Sequence, residues 1–117
     1  MLKCIVNVAG TSMSESKLQS KILKWLKDRG FWVIKTIVTN RNGVPDIIAC
    51  APDGKFVAIE VKFGKNTASK LQHWNIGELT KNNAIAFIAY DLETVEEHLY
   101  EYRSNSKSST RSESGLL

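Results

Sequence analysis

The chain has 117 residues, of which 43% are hydrophobic and 24% charged, and its formal net charge is +4. This length suits one domain with a modest core, and no apolar run reaches the ~20 residues that a membrane span requires. Cys4 and Cys50 lack the spacing of a zinc site or a disulfide framework, so we expect two buried thiols in a reducing cytosol.

Hydrophobic periodicity predicts an α/β order of elements. Residues 2–8 alternate apolar and polar side chains, which predicts a short strand or an ordered arm. Ser12, with Glu15 three residues later, resembles a capping box for a first helix that runs to about Arg29. Its expected buried stripe is Leu18, Ile22, Leu23, Trp25 and Leu26. Residues 31–38 are rich in β-branched and aromatic side chains and predict the first core strand.

A β-hairpin is predicted after the polar loop at residues 39–44. Pro45 and Asp46 open its first strand, and its second strand is predicted over residues 56–63. Residues 52–55 read Pro-Asp-Gly-Lys, which is typical of a tight turn between two strands.

The remaining pattern predicts a helix, a strand and a final helix. The second helix is expected over residues 68–81, and a buried strand over residues 84–90. The second helix is expected to bury Leu71, Trp74 and Leu79, and the final helix, capped by Asp91, to bury Leu92, Val95 and Leu99. Residues 104–117 are rich in serine and are expected to be disordered. The order is (β)αβββαβα, which predicts an α/β fold with a central mixed sheet flanked by helices.

The hairpin gathers charged side chains. Because side chains alternate along a strand, Glu60 and Lys62 share one face, and the turn brings Asp46 opposite or diagonal to Glu60. Such cross-strand neighbours lie roughly 4.5–8 Å apart, close enough for two carboxylates to bind one hard divalent cation. The alternative interpretation is a turn aspartate beside a solvated Glu–Lys ion pair.

Basic residues are concentrated in the part of the chain that holds this hairpin. Residues 1–90 contain 13 Lys/Arg and 6 Asp/Glu, a balance of +7, and residues 91–117 contain 3 and 6, a balance of −3. Arg41, Lys65 and Lys70 flank the predicted site. This distribution favours a polyanion such as nucleic acid, and the alternative is a lysine-rich solubilising surface.

The motifs resemble the PD-(D/E)xK nuclease superfamily. The likeness rests on Glu15 in the first helix, Gly43-Val44-Pro45-Asp46, Ile59-Glu60-Val61-Lys62 and Gln72. Within the superfamily, the chain resembles the small stand-alone VRR-NUC nucleases of phages and bacteria, over about residues 14–99. Archaeal-type Holliday junction resolvases share the same acid and lysine pattern. Asn82-Asn83 stands where these nucleases usually have a glycine.

The resemblance implies a restriction-endonuclease-like core, with residues 1–103 as one nuclease domain and 104–117 as a tail. Asp46, Glu60 and the backbone carbonyl of Val61 would bind Mg²⁺ or Mn²⁺, with Glu15 as a further ligand or as the holder of a second ion. Lys62 would stabilise charge on the phosphate, and Gln72 would position Lys62 or the phosphate. The five residues expected to be catalytic are Glu15, Asp46, Glu60, Lys62 and Gln72. Arg41, Lys65 and Lys70 would contact neighbouring phosphates.

The sequence leaves three candidate functions for the protein. The first is a metal-dependent endonuclease that selects branched DNA such as four-way junctions, because no sequence-reading module is present in the pattern. The second is a non-cleaving nucleic-acid-binding module on the same fold, and the third is an interaction domain with a basic surface. Two symmetrical cuts at a junction predict a homodimer, with Leu2, Val6, Val8 or the Trp32 strand at its interface. We expect a cytoplasmic location in a bacterium or a phage-infected cell.

Overall fold

The computed structural model describes residues 13–105 of the protein. A short 3₁₀ helix at Tyr100–Tyr102 follows the last of three α-helices and four strands. The elements are α1 (Glu15–Asp28), β1 (Trp32–Lys35), β2 (Ile47–Cys50), β3 (Phe56–Val61), α2 (Lys70–Lys81), β4 (Ile85–Ala89) and α3 (Leu92–His98).

The four strands form one mixed sheet in the order β1-β2-β3-β4. The first three strands are antiparallel, with Ile34 opposite Ile48 and Ile47 opposite Ile59. Strand β4 runs parallel to β3, with Glu60 opposite Ile88, and α2 makes the crossover between them. The predicted α/β class and the mixed sheet flanked by helices are confirmed.

The hydrophobic core lies on one face of the sheet. Helix α1, helix α3 and the 3₁₀ turn cover this face, and the core comprises Leu18, Ile22, Trp25, Leu26, Phe31, Ile47, Ala49, Ala51, Val57, Ile59, Val61, Phe87, Ala89, Val95, Leu99 and Tyr102. The α1 stripe and the inward positions of α3 are therefore as predicted. Helix α2 packs on the opposite face, mainly over β3 and β4. Glu60 and Asp46 alternate with core residues and belong to that second face.

Several element boundaries differ from the prediction. Ser14, not Ser12, caps α1, because its side chain accepts a hydrogen bond from the Lys17 amide, and Glu15 is the first helical residue. Strand β1 ends at Lys35 rather than at residue 38, and the hydroxyl of the next residue, Thr36, donates to the carbonyls of Pro45 and Asp46. The strand predicted at residues 56–63 ends at 61, and the helix predicted from residue 68 begins at 70.

The predicted inward face of α2 was right for Leu79 and wrong for Leu71 and Trp74. Leu71 and Trp74 are 44% and 52% exposed, whereas Asn75 is buried. The inward row is instead Gln72, Asn75, Ile76 and Leu79, with the i, i+3, i+4, i+7 spacing of one helical face. The face is polar at its beginning because that end of α2 lies over Glu60 rather than over the apolar core.

Three smaller predictions have different outcomes. Cys50 is exposed, not buried, because it lies on the sheet face that α2 leaves partly uncovered. Asn83 has φ +69°, the left-handed conformation that a glycine would otherwise supply at this turn. Some predictions lie outside the described residues: the arm at residues 2–8, Cys4, Ser12 and residues 106–117.

Over residues 13–105, no helix combines the length and the apolar character needed to cross a membrane.

Candidate active site

Asp46 and Glu60 meet where the β2–β3 hairpin opens away from its turn. Ile47 pairs with Ile59, so the same register places Asp46 directly opposite Glu60. Asp46 Oδ2 accepts a hydrogen bond of 2.8 Å from the backbone N–H of Val61. The backbone N–H of Thr36 donates to the Asp46 carbonyl at 2.8 Å, which fixes the main chain that carries this carboxylate.

The Glu60 carboxylate is almost completely enclosed. Its residue is 2% exposed, and its Oε2 accepts hydrogen bonds from Gln72 Nε2 at 3.0 Å and Lys62 Nζ at 3.2 Å. Its Oε1 is buried and accepts no hydrogen bond, and only a protonated Glu60 can share a hydrogen bond with Asp46. A buried carboxylate oxygen without a partner costs free energy, which makes it an available ligand for a cation.

The electrostatics of Glu60 match this geometry. Burial and, after it, the negative charge of Asp46 raise the pKa of Glu60, the Lys62 ammonium opposes the rise, and the net result is a pKa of about 7. Because the Asp46 and Glu60 carboxylates lie on paired positions of the hairpin, the charge of each one disfavours ionisation of the other. A bound cation would remove that repulsion, so the pair is arranged to bind positive charge.

A capping box at the start of α2 orients Gln72. The Ser69 hydroxyl accepts from the Gln72 backbone N–H, and Gln72 Oε1 accepts from the Ser69 backbone N–H at 2.8 Å. Because the side-chain oxygen is held in this way, the amide nitrogen points at Glu60. Gln72 therefore contacts Glu60 and Ser69, and its role in positioning Lys62 or the phosphate stays a prediction.

The loop that carries Asp46 is attached to α2 by a residue that the sequence analysis missed. Asn75 is buried, and its Nδ2 donates to the carbonyls of Asn42 and Gly43 at 3.1 and 2.9 Å. Gly43 has φ +76°, and a Cβ there would lie 2.8 Å from the Leu71 side chain. The only sequence signal for Asn75 is its position three residues after Gln72, on the same helical face.

Glu15 lies at the same end of the sheet but does not join the pair. The C-terminal end of α1 is beside the hairpin turn, because Gly30, just after the helix, packs near Pro52. The N-terminus of α1, with Glu15, therefore points toward the opposite end of the sheet. However, α1 packs on the face opposite to Glu60. Residues 13–105 contain no group of three His, Cys, Asp or Glu side chains that could hold a metal ion.

The three residues predicted to contact phosphates are all exposed. Arg41 is exposed and lines a cleft of about 370 Å³ that also has Asp46 in its wall. Lys65 lies exposed in the turn after β3, and Lys70 is the exposed first residue of α2. A larger cleft of about 430 Å³ lies between α1 and α3, and none of the predicted site residues lines it.

The donor set suits a hard divalent cation. Two carboxylates stand side by side, one of them with an oxygen that accepts no hydrogen bond. Val61, whose carbonyl is the other candidate ligand, follows Glu60 at the end of β3 and donates its N–H to Asp46. Oxygen ligands of this type are those that Mg²⁺ and Mn²⁺ bind, and the neighbouring lysine supplies a cation beside them.

Comparison with known proteins places this geometry in a family. A family model described as archaeal Holliday junction resolvase (Hjc) matches residues 14–111. A solved structure described as a VRR_NUC domain is 22% identical, with a TM-score of 0.65, over 75% of this chain and 96% of its own. A second, described as a VRR_NUC domain protein, is 20% identical, with a TM-score of 0.63, over 82% and 93%. No curated protein matches the chain. The match over most of its length shows that the chain belongs to the archaeal Holliday junction resolvase family of nucleases, on the fold of VRR_NUC domains.

Proposed function

We propose that the protein is a metal-dependent endonuclease that hydrolyses phosphodiester bonds in branched DNA, with four-way junctions as the first candidate substrate. One observation carries the proposal: Glu60 Oε1 is buried without a partner beside Asp46, while Oε2 is held by Lys62 and Gln72. An ion pair on a solvated strand would not leave a carboxylate oxygen in this state.

The metal ion has a defined place in this proposal. Mg²⁺ or Mn²⁺ held by Asp46, Glu60 and the Val61 carbonyl would polarise the phosphodiester and lower the pKa of a bound water. Glu15 stays a candidate for an outer contact, because it is at the same end of the sheet.

The protein's own residues supply positioning and charge. Lys62 Nζ lies 3.2 Å from Glu60, and its side chain is 15% exposed, so it presents an ammonium group to a phosphate at the carboxylate pair. Charge that develops on the phosphate in the transition state is stabilised by such a fixed cation. Gln72 keeps Glu60 in place through the capping box of α2. Arg41, Lys65 and Lys70 contact flanking phosphates.

A two-fold dimer fits two symmetrical cuts at a junction. The uncovered half of the second sheet face supports this part of the proposal, because Trp32, Ile34 and Phe56 are 63%, 42% and 45% exposed there. Sedimentation of the protein with and without junction DNA tests the dimer, and a monomer in both conditions would contradict it.

We also propose that residues 1–103 act as one domain in the cytoplasm.

The decisive experiment uses a labelled four-way junction, a flap and a linear duplex, each with Mg²⁺, Mn²⁺ or EDTA. Wild-type protein is compared with Lys62→Ala and with Lys24→Ala as the matched control. Lys24 is an exposed residue of α1 that pairs with Asp28 at 2.7 Å, and the control removes the same charge. We expect metal-dependent cutting of branched DNA by the wild type and the control, and a loss of at least about 100-fold for Lys62→Ala.

The other outcomes decide between functions. If the wild type binds DNA with a steep salt dependence but cuts none of the three substrates with either metal, the protein is a non-cleaving binding module. Weak binding of the same strength for every substrate, without cutting, would favour an interaction domain with a basic surface.

A further inference from the structure

Two neighbouring aliphatic side chains in the loop between β1 and β2 are almost fully exposed. Ile37 and Val38 are 86% and 89% exposed, more than any other large hydrophobic residue of the described chain. The loop around them is otherwise polar, with Thr36, Thr39, Asn40 and Arg41 as neighbours. Highly exposed apolar side chains at consecutive positions next to a candidate functional site indicate a contact surface.

The pair is positioned by the same hydrogen bonds that position Asp46. Thr36 donates its backbone N–H to the Asp46 carbonyl at 2.8 Å, and its hydroxyl donates to the Pro45 carbonyl at 2.9 Å. Val38 is only two residues further along, at most about 7 Å of extended chain. Both aliphatic residues line the cleft that has Asp46 in its wall.

The other limb of the loop is also anchored. Thr39 Oγ1 donates to the Arg41 carbonyl at 2.7 Å, and Asn75 holds the carbonyls of Asn42 and Gly43 on α2. Ile37 and Val38 are β-branched, so each has few rotamers to lose on contact. An apolar pair with few rotamers, on a loop that hydrogen bonds hold at both ends, is suited to insertion rather than to adaptive packing.

We infer that Ile37 and Val38 form an apolar wedge that inserts into an unstacked base step of branched DNA. This inference rests on the proposed nuclease function and names the feature of the substrate that the site selects. Apolar side chains of this kind separate neighbouring bases, and the cost of unstacking is least where stacking is already interrupted, as at a branch. The exposed guanidinium-bearing Arg41 in the same cleft suits the adjacent phosphate.

The geometry also sets where the cut falls. Val38 lies within about 12 Å of the Asp46 carbonyl by chain length, and successive nucleotides of a strand are about 3.4 Å apart. The wedge therefore contacts bases within about three nucleotides of the phosphate at the carboxylate pair. A linear duplex, whose stacking is continuous, is disfavoured by the same contact.

The test replaces both residues with serine in an Ile37→Ser, Val38→Ser variant. Junctions carry 2-aminopurine at successive positions around the branch, and its fluorescence, which rises on unstacking, is read in Ca²⁺. Cleavage rates of junction and linear duplex are then measured in Mg²⁺ or Mn²⁺. Tyr100→Ser, at an exposed residue remote from the site, is the control for loss of surface hydrophobicity. Because both wedge residues are exposed, we expect the melting temperature of the variant to stay near that of the wild type.

For the wild type and the control, we expect fluorescence to rise at positions within three nucleotides of the cut. For the double serine variant we expect no rise, and a fall of at least about tenfold in the ratio of junction to duplex cleavage. An Ile37→Val, Val38→Ile exchange should restore both signals, because it keeps the apolar volume. If the wild type cuts DNA and the serine variant has the same ratio of junction to duplex cleavage, the wedge is overturned and the proposed nuclease function stands. If the wild type is a dimer and the serine variant is a monomer, these residues belong to an interface between copies, and the wedge is overturned. Absence of wild-type cutting on every DNA would refute the proposed function itself.

Discussion

Replacing Glu60 with glutamine should stabilise the metal-free protein at pH 8. In the wild type, the Glu60 carboxylate is 2% exposed, faces Asp46 and has one oxygen without a partner. A glutamine keeps the shape and the oxygen that accepts from Lys62 and Gln72. Its amide N–H₂ takes the place of the unpartnered oxygen, where it can donate to Asp46 instead of repelling it.

The size of the effect follows from the pKa. Burial and the charge of Asp46 raise the pKa of Glu60 from 4.5 to about 7. Because the folded state has the higher pKa, the stability that this group contributes is complete below pH 4.5 and is lost as the pH rises through about 7. Above pH 7 the loss reaches about 3 kcal/mol as an upper bound. We therefore expect Glu60→Gln to gain about 1–3 kcal/mol at pH 8 and almost nothing at pH 4.5.

Thermal or urea unfolding in EDTA from pH 4.5 to pH 8.5 measures this difference. Glu78→Gln is the matched control, because Glu78 is a partly exposed carboxylate that pairs with Lys81 on the surface of α2. The control should stay within about 0.5 kcal/mol of the wild type at every pH. Added Mg²⁺ or Mn²⁺ should raise the melting temperature of the wild type but not that of Glu60→Gln. A variant that is less stable than the wild type at pH 8, or a difference that does not change with pH, would refute the reasoning.

Four further changes test the Asp46 loop, the hairpin turn and the DNA contacts. Gly43→Ala at φ +76° should lower the free energy of unfolding by about 1–3 kcal/mol and slow DNA cleavage, as read by urea titration and kinetics. Asn75→Leu leaves two loop carbonyls without their donor, so urea titration should show a loss of about 1–3 kcal/mol. Tyr102 donates to both oxygens of Asp53 and lowers its pKa, so Tyr102→Phe should be less stable above pH 3.8, with the difference shrinking as the pH falls below that value. Arg41→Ala should weaken junction binding and reduce the slope of log K against log salt by about one.

The hairpin could be predicted because its information is local. Alternation along residues 56–61 fixes which side chains share a face, and the short turn limits the register to two choices. The structure selects the direct pairing of Asp46 with Glu60, since Ile47 lies opposite Ile59. The core stripe of α1 was predictable for a similar reason, because Leu18, Ile22 and Leu26 pack into the apolar core.

The inward face of α2 could not be predicted by the same rule. An amphipathic pattern assumes that the buried side of a helix is apolar, which selected Leu71 and Trp74. In the structure this helix lies over a buried carboxylate, so amide side chains are the better partners and the helix is rotated accordingly. That Glu15 forms no group of three acids with the pair was equally inaccessible, because it depends on which face of the sheet α1 covers.

The two faces of the sheet divide stability and chemistry between them. On the first face, α1 and α3 bury a continuous apolar core that supplies the main favourable term in folding. On the second face, α2 holds Glu60 through Gln72 and the Asp46 loop through Asn75, so one helix sets the relative position of both carboxylates. That position is unfavourable for the metal-free protein, because it brings like charges together under burial. It persists because the apolar face offsets the cost, and the stabilisation expected for Glu60→Gln measures the part of that cost that a bound cation would remove.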